Sequence, residues 1–104
     1  MNIIIETTTD DKIVAKSISN ELLNNNLSSC VQIINNINSN YIWKDKQVSS
    51  NEILIRIKTS FKLCEEVIEL IKKLHNYNIP ELISYNFNIN SNKYKQWFNK
   101  SLNK

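Results

Sequence analysis

The stretch "NEILIRIKTS", residues 51–60, decides the fold. Successive side chains of a strand point to opposite faces, so Ile53, Ile55 and Ile57 share one side while Glu52, Leu54, Arg56 and Lys58 share the other. Just upstream, "KDK" at 44–46 reads as a tight turn with Asp45 at its tip. Before that turn, the residues from Cys30 to Trp43 are rich in Val, Ile and aromatics, and Val31 and Ile33 alternate against Gln32. The two runs together predict one long hairpin.

The flanks repeat a simpler unit. "NIIIET" at 2–7 reads as a buried strand. In "TTDD" a threonine cap is followed by Asp10 and Asp11 at the positive end of a helix, along which Ile13, Val14, Ile18 and Leu22 recur up to a stop at Asn24–Asn26. After the hairpin, Ser60 is expected to cap a second helix with Leu63, Val67, Leu70, Ile71 and Leu74 on one stripe, Glu65, Glu66 and Glu69 early and Lys72 and Lys73 late. Pro80 ends helical geometry and pushes Ile79 into an extended conformation. "ELISYNFNI" at 81–89 alternates as a last strand, and Tyr94, Trp97, Phe98 and Leu102 mark a C-terminal amphipathic helix.

The order β-α-β-β-α-β-α is that of an α+β, ferredoxin-like split β-α-β fold with an antiparallel sheet and one extra C-terminal helix. No linker divides it, so residues 1–104 are expected to form one domain. The helices would cover one sheet face and leave the other, carrying Leu54, Arg56 and Lys58, open to solvent or to another subunit.

Composition narrows the function classes. Glycine is absent and asparagine abundant. Asparagine tolerates left-handed backbone geometry best after glycine, so "NNN" at 24–26 and "NNINSN" at 35–40 read as turns and caps. Apolar runs are far shorter than the about 20 residues needed to cross a bilayer, and no secretory signal is evident, so the expectation is a soluble, cytoplasmic protein without membrane contact. Cys30 and Cys64 have neither CxxC spacing nor paired histidines nearby, which excludes a disulfide framework and a closed zinc site within one chain. The net charge of +3 is spread without a basic run, and the open face offers Leu54, Arg56 and Lys58 in place of stacking aromatics. Nucleic-acid binding is therefore not expected. An acylphosphatase-like enzyme needs a glycine-rich phosphate cradle, and no nucleophile stands in a recognisable catalytic context, so no enzymatic activity is expected.

Five motifs in register carry a family resemblance: "SSCVQI" at 28–33, "YIWKDKQ" at 41–47, "ILIRIKTS" at 53–60, "LHNYNIPEL" at 74–82 and "YKQWFNKSL" at 94–102. Over essentially its whole length the chain resembles the CutA divalent-cation tolerance family. The resemblance implies a compact homotrimer of ferredoxin-like subunits, similar in architecture to PII signalling proteins, with the shared residues gathered in clefts between subunits. It also implies a role in metal homeostasis, in which copper or another divalent cation is bound, and a possible further protein partner that is not identified. The alternative is a PII-like sensor of a small anionic metabolite without physiological metal binding.

Residue by residue, Cys30, His75 and Glu81 are the metal-ligating candidates, and Lys58, Tyr77, Glu81, Tyr41 and Trp43 the ligand-binding candidates. Tyr77 and Glu81 are placed in the intersubunit cleft by the resemblance. Lys58 either pairs with Glu81 of the same or a neighbouring chain or receives an anionic ligand. Tyr41 and Trp43 are aromatics with a polar handle, a type enriched at interfaces. Three positions depart from the family pattern. Asp45 stands where relatives have glycine at the hairpin tip, Glu6 where some have cysteine, and Leu74 where some have histidine. The soft ligands left are Cys30 and His75, so only modest copper affinity is expected.

Overall fold

The computed structural model describes residues 1–102. In chain order they form β1 (Asn2–Thr9), α1 (Lys12–Asn24), β2 (Cys30–Trp43), β3 (Lys46–Ser60), a short 3-10 turn (Phe61–Leu63), α2 (Cys64–Leu74), β4 (Ile83–Phe87) and α3 (Asn92–Lys100). The sheet order is β2-β3-β1-β4 with every pair antiparallel, the ferredoxin-like arrangement. Ile53, Ile55 and Ile57 pair with Thr9, Thr7 and Ile5 and are buried beneath α1 and α2, as the alternation of residues 51–60 requires. Ala15, Ile18 and Leu22 of α1 and Val67 and Ile71 of α2 complete this core, and Phe98 of α3 is fully buried within it.

Several local expectations are corrected. Ile13 is 80% exposed. At 3.6 residues per turn it sits about 140° around the helix from Ile18, and the buried stripe is Ala15, Ile18, Ser19 and Leu22. The cap of α1 is Asp11, whose Oδ1 accepts from the amides of Ile13 and Val14 at 2.8 and 3.3 Å, while Thr9 Oγ1 accepts from the amide of Asp11 at 3.2 Å. Ser60 makes no capping bond, because the 3-10 turn intervenes before α2. β4 is shorter than the alternating run at 81–89, and in α3 only Phe98 is buried, with Tyr94 and Trp97 at the surface.

Asparagine does part of the work of the missing glycine. Asn26 has φ 54° and closes α1, with the amide of Leu27 donating to the Leu22 carbonyl at 2.9 Å and that of Asn26 to Leu23 at 3.1 Å. The 35–40 cluster stays within β2, where the pairing slips between Ile34 and Ile37 and Asn36 takes φ 62°. This is a bulge and not a turn. At the hairpin tip Lys44 and Asp45 both have positive φ, 51° and 65°, the geometry of a type I′ turn.

β1 pairs with β3 only from Ile53 onward, so Ile37–Trp43 and Lys46–Glu52 pair with each other alone and project as a two-stranded arm. The long axis of the molecule is 46 Å against 25 and 21 Å.

Candidate functional site

The 75–82 connection between α2 and β4 is tied to the ends of β1 and β3 by specific polar contacts. His75 uses both ring nitrogens: Nε2 faces the Thr8 carbonyl at 2.9 Å and Nδ1 faces the Tyr77 amide at 3.0 Å. A carbonyl only accepts and an amide N–H only donates, so the imidazole is the neutral tautomer with its proton on Nε2. Burial holds its pKa below the ordinary histidine value, outweighing the opposite pull of the Thr8 carbonyl, Asp10 and Glu52. Asn76 adds a second anchor. Its Oδ1 accepts from Thr9 Oγ1 at 2.6 Å, and its Nδ2 donates to Asp10 at 2.9 Å.

So anchored, the connection delivers Tyr77 onto the open face of the sheet, where its hydroxyl donates to Glu52 Oε2 at 2.6 Å. The Tyr77 ring lies 4.9 Å from that of His75. Glu52 is only 7% exposed, although the alternation puts it on the face expected to be bare. Burial first, and then the bond to Glu52, push the Tyr77 phenol well above the usual tyrosine range, so it remains a proton donor. Between this connection and the arm lies a cavity of about 700 Å³, lined among others by Tyr41, Trp43, Glu52, Tyr77 and Glu81. Glu81 stands on its exposed lip. Its carboxyl is pushed above the ordinary glutamate value by desolvation and then by the charges of Glu6 and Glu52.

The other end of the open face is cationic. Arg56 Nε donates to Glu6 Oε2 at 2.9 Å, and the Tyr85 hydroxyl donates to the same oxygen at 2.9 Å. The bond to Glu6 raises the Arg56 pKa further, despite some desolvation. Arg56, Lys58, Gln32 and Tyr85 line a second cavity of about 580 Å³, beside Ser91 at the start of α3.

Four of the five ligand-binding candidates, Tyr41, Trp43, Tyr77 and Glu81, thus meet in one cavity. Lys58 lies elsewhere: it pairs across the sheet with Ile4, and the cavity holding Glu81 adjoins Thr8. Four residues of strand separate those two positions, about 13 Å at about 3.3 Å per residue. Within one chain Lys58 and Glu81 do not pair. The same spacing applies to the metal candidates, since Cys30 is the cross-strand partner of Lys58 while His75 sits on Thr8 with both nitrogens engaged. Cys30, His75 and Glu81 therefore do not fit a single ion within one chain. Among the described residues, no three His, Cys, Asp or Glu side chains gather closely enough to hold a metal.

Sequence reasoning missed Glu52 and Glu6. Their signal was a carboxylate at a strand position, and its meaning appears only when Tyr77 and Tyr85, 25 and 79 residues away along the chain, are seen to donate to them. Cys64 packs against the core, where burial and then the nearby Glu65 raise its thiol pKa.

The fold is that of a four-stranded ferredoxin-like α+β protein with a projecting hairpin and an acidic, aromatic cleft beside that hairpin. The chain belongs to the CutA1 divalent ion tolerance protein family, whose sequence profile matches residues 3–101. It is 32% identical over 100 residues to the chloroplastic CutA protein of Arabidopsis thaliana, covering 96% of this chain and 55% of that protein. It is 28% identical over 97 residues to the divalent-cation tolerance protein CutA of Thermus thermophilus, covering 93% and 94%. The chain spans about half the length of the plant relatives it matches. Among solved structures, the Thermus thermophilus protein superposes with a TM-score of 0.93 at 26% identity, covering 99% of this chain and all of that one. CutA1 of Ehrlichia chaffeensis does so at 0.88 and 33%, covering 96% and 94%. No helix among the described residues is long and apolar enough to cross a membrane.

Proposed function

We propose that the protein is a non-catalytic binding module of divalent-cation tolerance, working as a homotrimer, and that its ligand enters the cavity between the arm and the 75–82 connection. The observation that carries this reading is the convergence of Tyr41 and Trp43 from the arm, Glu52 from β3, and Tyr77 and Glu81 from the connection on one cleft. Four separate segments supply its walls, β1 among them through Thr8. A volume of about 700 Å³ suits a small-molecule site, typically about 300–1,000 Å³.

Assembly is supported by the arm itself. An isolated two-stranded ribbon is marginally stable in water, and this one carries Tyr41, Ile42 and Trp43 at its tip, all exposed in the single chain. Ile83 and Tyr85 on the open face are exposed too. A neighbouring subunit that covers them would also close the open side of the cavity. Two free cysteines suit a reducing compartment such as the cytoplasm.

A second reading, a sensor of a small anionic metabolite, is favoured by the other cavity. There Lys58 and Arg56 face Gln32 and Ser91, and Ser91 caps the positive end of α3. Light scattering combined with calorimetric titration tests both readings. The first predicts a mass near three chains and Glu52-dependent binding of a cationic ligand such as zinc. The second predicts anion binding lost in Lys58→Ala. A monomer that binds neither contradicts both.

A further inference from the structure

β2 does not keep one alternation along its length. Gln32 and Ile34 pair with Arg56 and Leu54 and stand on the open face of the sheet. Beyond the slip it is Ile37, Ser39, Tyr41 and Trp43 that pair with Glu52, Ser50, Val48 and Lys46 of that same face. β2 uses two residues, Asn35 and Asn36, where β3 uses one, Ile53. An unbroken strand would carry Asn36, Asn38, Asn40 and Ile42 to the open face instead. We propose that the Asn35–Asn36 bulge is the phase-setting element of subunit association, turning the Ser39–Tyr41–Trp43 row of the arm onto the open face, where a second copy of this chain covers it. The inference rests on the homotrimer reading and names what directs that contact.

The two faces of the arm differ in kind. On the outer face the polar groups satisfy each other: Asn38 Nδ2 donates to Ser49 Oγ at 3.1 Å, and Asn40 Nδ2 donates to Asn38 Oδ1 at 3.0 Å. The row on the open face holds the aromatics Tyr41 and Trp43, with Val48 as the cross-strand partner of Tyr41. It also holds Ser50, whose Oγ is buried and has no hydrogen-bond partner among the described residues. Such a hydroxyl costs free energy until a neighbouring group pairs with it. The bulge itself lies at the root of the arm, opposite the last residue of β3 that pairs with β1, so it rephases the arm and leaves the core ladder untouched. Asn35 and Asn36 are exposed, and Asn36 holds φ 62°, a geometry that asparagine tolerates and most side chains resist.

Charge complementarity makes the occupant a second copy. The open face carries Glu52 beside the arm and Lys58 four strand pairs of β1 away, so two copies offset along it match opposite signs. An offset, head-to-tail contact of this kind is heterologous and closes into a ring when the rotation allows. Ile83 and Tyr85 continue the half-exposed apolar surface across β4.

Two deletions in the full chain separate phase from the mere presence of a bulge. Removing Asn36 alone leaves one residue opposite Ile53 and keeps every pairing of the arm. Removing Asn35 and Asn36 together shifts the arm by one residue, closes it on a three-residue loop and sends Tyr41 and Trp43 to the outer face. Cross-strand nuclear Overhauser contacts report the phase: Tyr41 to Val48 in wild type and in the single deletion, Tyr41 to Ser49 in the double. Light scattering at micromolar concentration should give the mass of three chains for wild type and for the single deletion. The double deletion should associate at least about a hundredfold more weakly, since two aromatic contacts leave the interface. If the double deletion does not fold, Tyr41→Ser should weaken association by about tenfold or more while Asn38→Ala, on the outer face, leaves it unchanged. The proposal is overturned by a double deletion that associates like wild type or keeps the Tyr41–Val48 contact. It is overturned equally by a single deletion that dissociates as far as the double, or by equal effects of Tyr41→Ser and Asn38→Ala. A monomeric wild type overturns the homotrimer reading itself, and the inference with it.

Discussion

Replacing Tyr77 with phenylalanine deletes one oxygen and leaves a specific debt. The Tyr77 hydroxyl is the donor to Glu52 Oε2 at 2.6 Å, and Glu52 is 93% withdrawn from solvent, being 7% exposed. The ring remains, with its packing on His75 at 4.9 Å and the amide bond to His75 Nδ1 unaffected. A hydrogen bond to a charged group contributes about 1.5–3 kcal/mol, and the remaining carboxylate loses its compensation on burial. Because Glu52 borders a cavity that admits water, the lower half of that range applies, about 2 kcal/mol. With a guanidinium slope of about 3 kcal/mol per molar, the unfolding midpoint should fall by about 0.7 M. Melts must be run at one protein concentration, since subunit association would shift them. Glu52→Gln keeps an acceptor for the phenol and removes the charge, so its own loss should be smaller. The double variant should show a coupling of at least about 1 kcal/mol between the two positions. A Tyr77→Phe midpoint within the noise of a neutral surface change, about 0.5 kcal/mol, would refute the idea that this bond holds the connection over the sheet.

Three further outcomes follow from the geometry. His75 is held neutral, with its pKa below the unfolded value of about 6.5. Its contribution is therefore fully present above that pH and is lost as pH falls through the folded value. The loss of urea stability between pH 7.5 and 5 should be smaller in His75→Gln than in wild type, and an identical loss would sink the assignment. Arg56→Met leaves Glu6, among the described residues, with Tyr85 as its remaining donor. Since Arg56 is 34% exposed and Glu6 12%, the cost should lie between the exposed and buried limits, about 1–2 kcal/mol by chemical denaturation. Asn and Gly in place of Lys44 and Asp45, which hold φ of 51° and 65°, should stabilise the hairpin by about 1 kcal/mol. A lower melting temperature would show that the tip makes contacts of its own.

The fold was legible wherever burial enforces periodicity. Ile53, Ile55 and Ile57 alternate because a central strand has one face in the core, and that face carried the hairpin and the topology with it. Legibility failed where a plausible local pattern was not the one the chain follows. Ile13 looks like part of the α1 stripe yet lies on its solvent side, and Ser60 looks like a cap yet ends a strand ahead of a 3-10 turn. The site was half legible. Tyr77, Glu81, Tyr41 and Trp43 stood out through motif resemblance, and they do share a cavity. Glu52 reads in sequence as an ordinary polar strand residue. Only the closure of the 75–82 connection onto β3 turns it into a buried, hydrogen-bonded carboxylate. Lys58 reads as a partner for Glu81 or an anion and Cys30 as a thiol at a family-matched position, and the register puts the two opposite each other, apart from this cavity within one chain.

Native mass spectrometry of the protein purified without chelators, compared with Glu52→Gln prepared in the same way, tests the central claim most directly. The account predicts a mass of three chains for both proteins, with a small cationic ligand retained or readily added only by the wild type. A monomer, or ligand occupancy that does not change with Glu52, would contradict it.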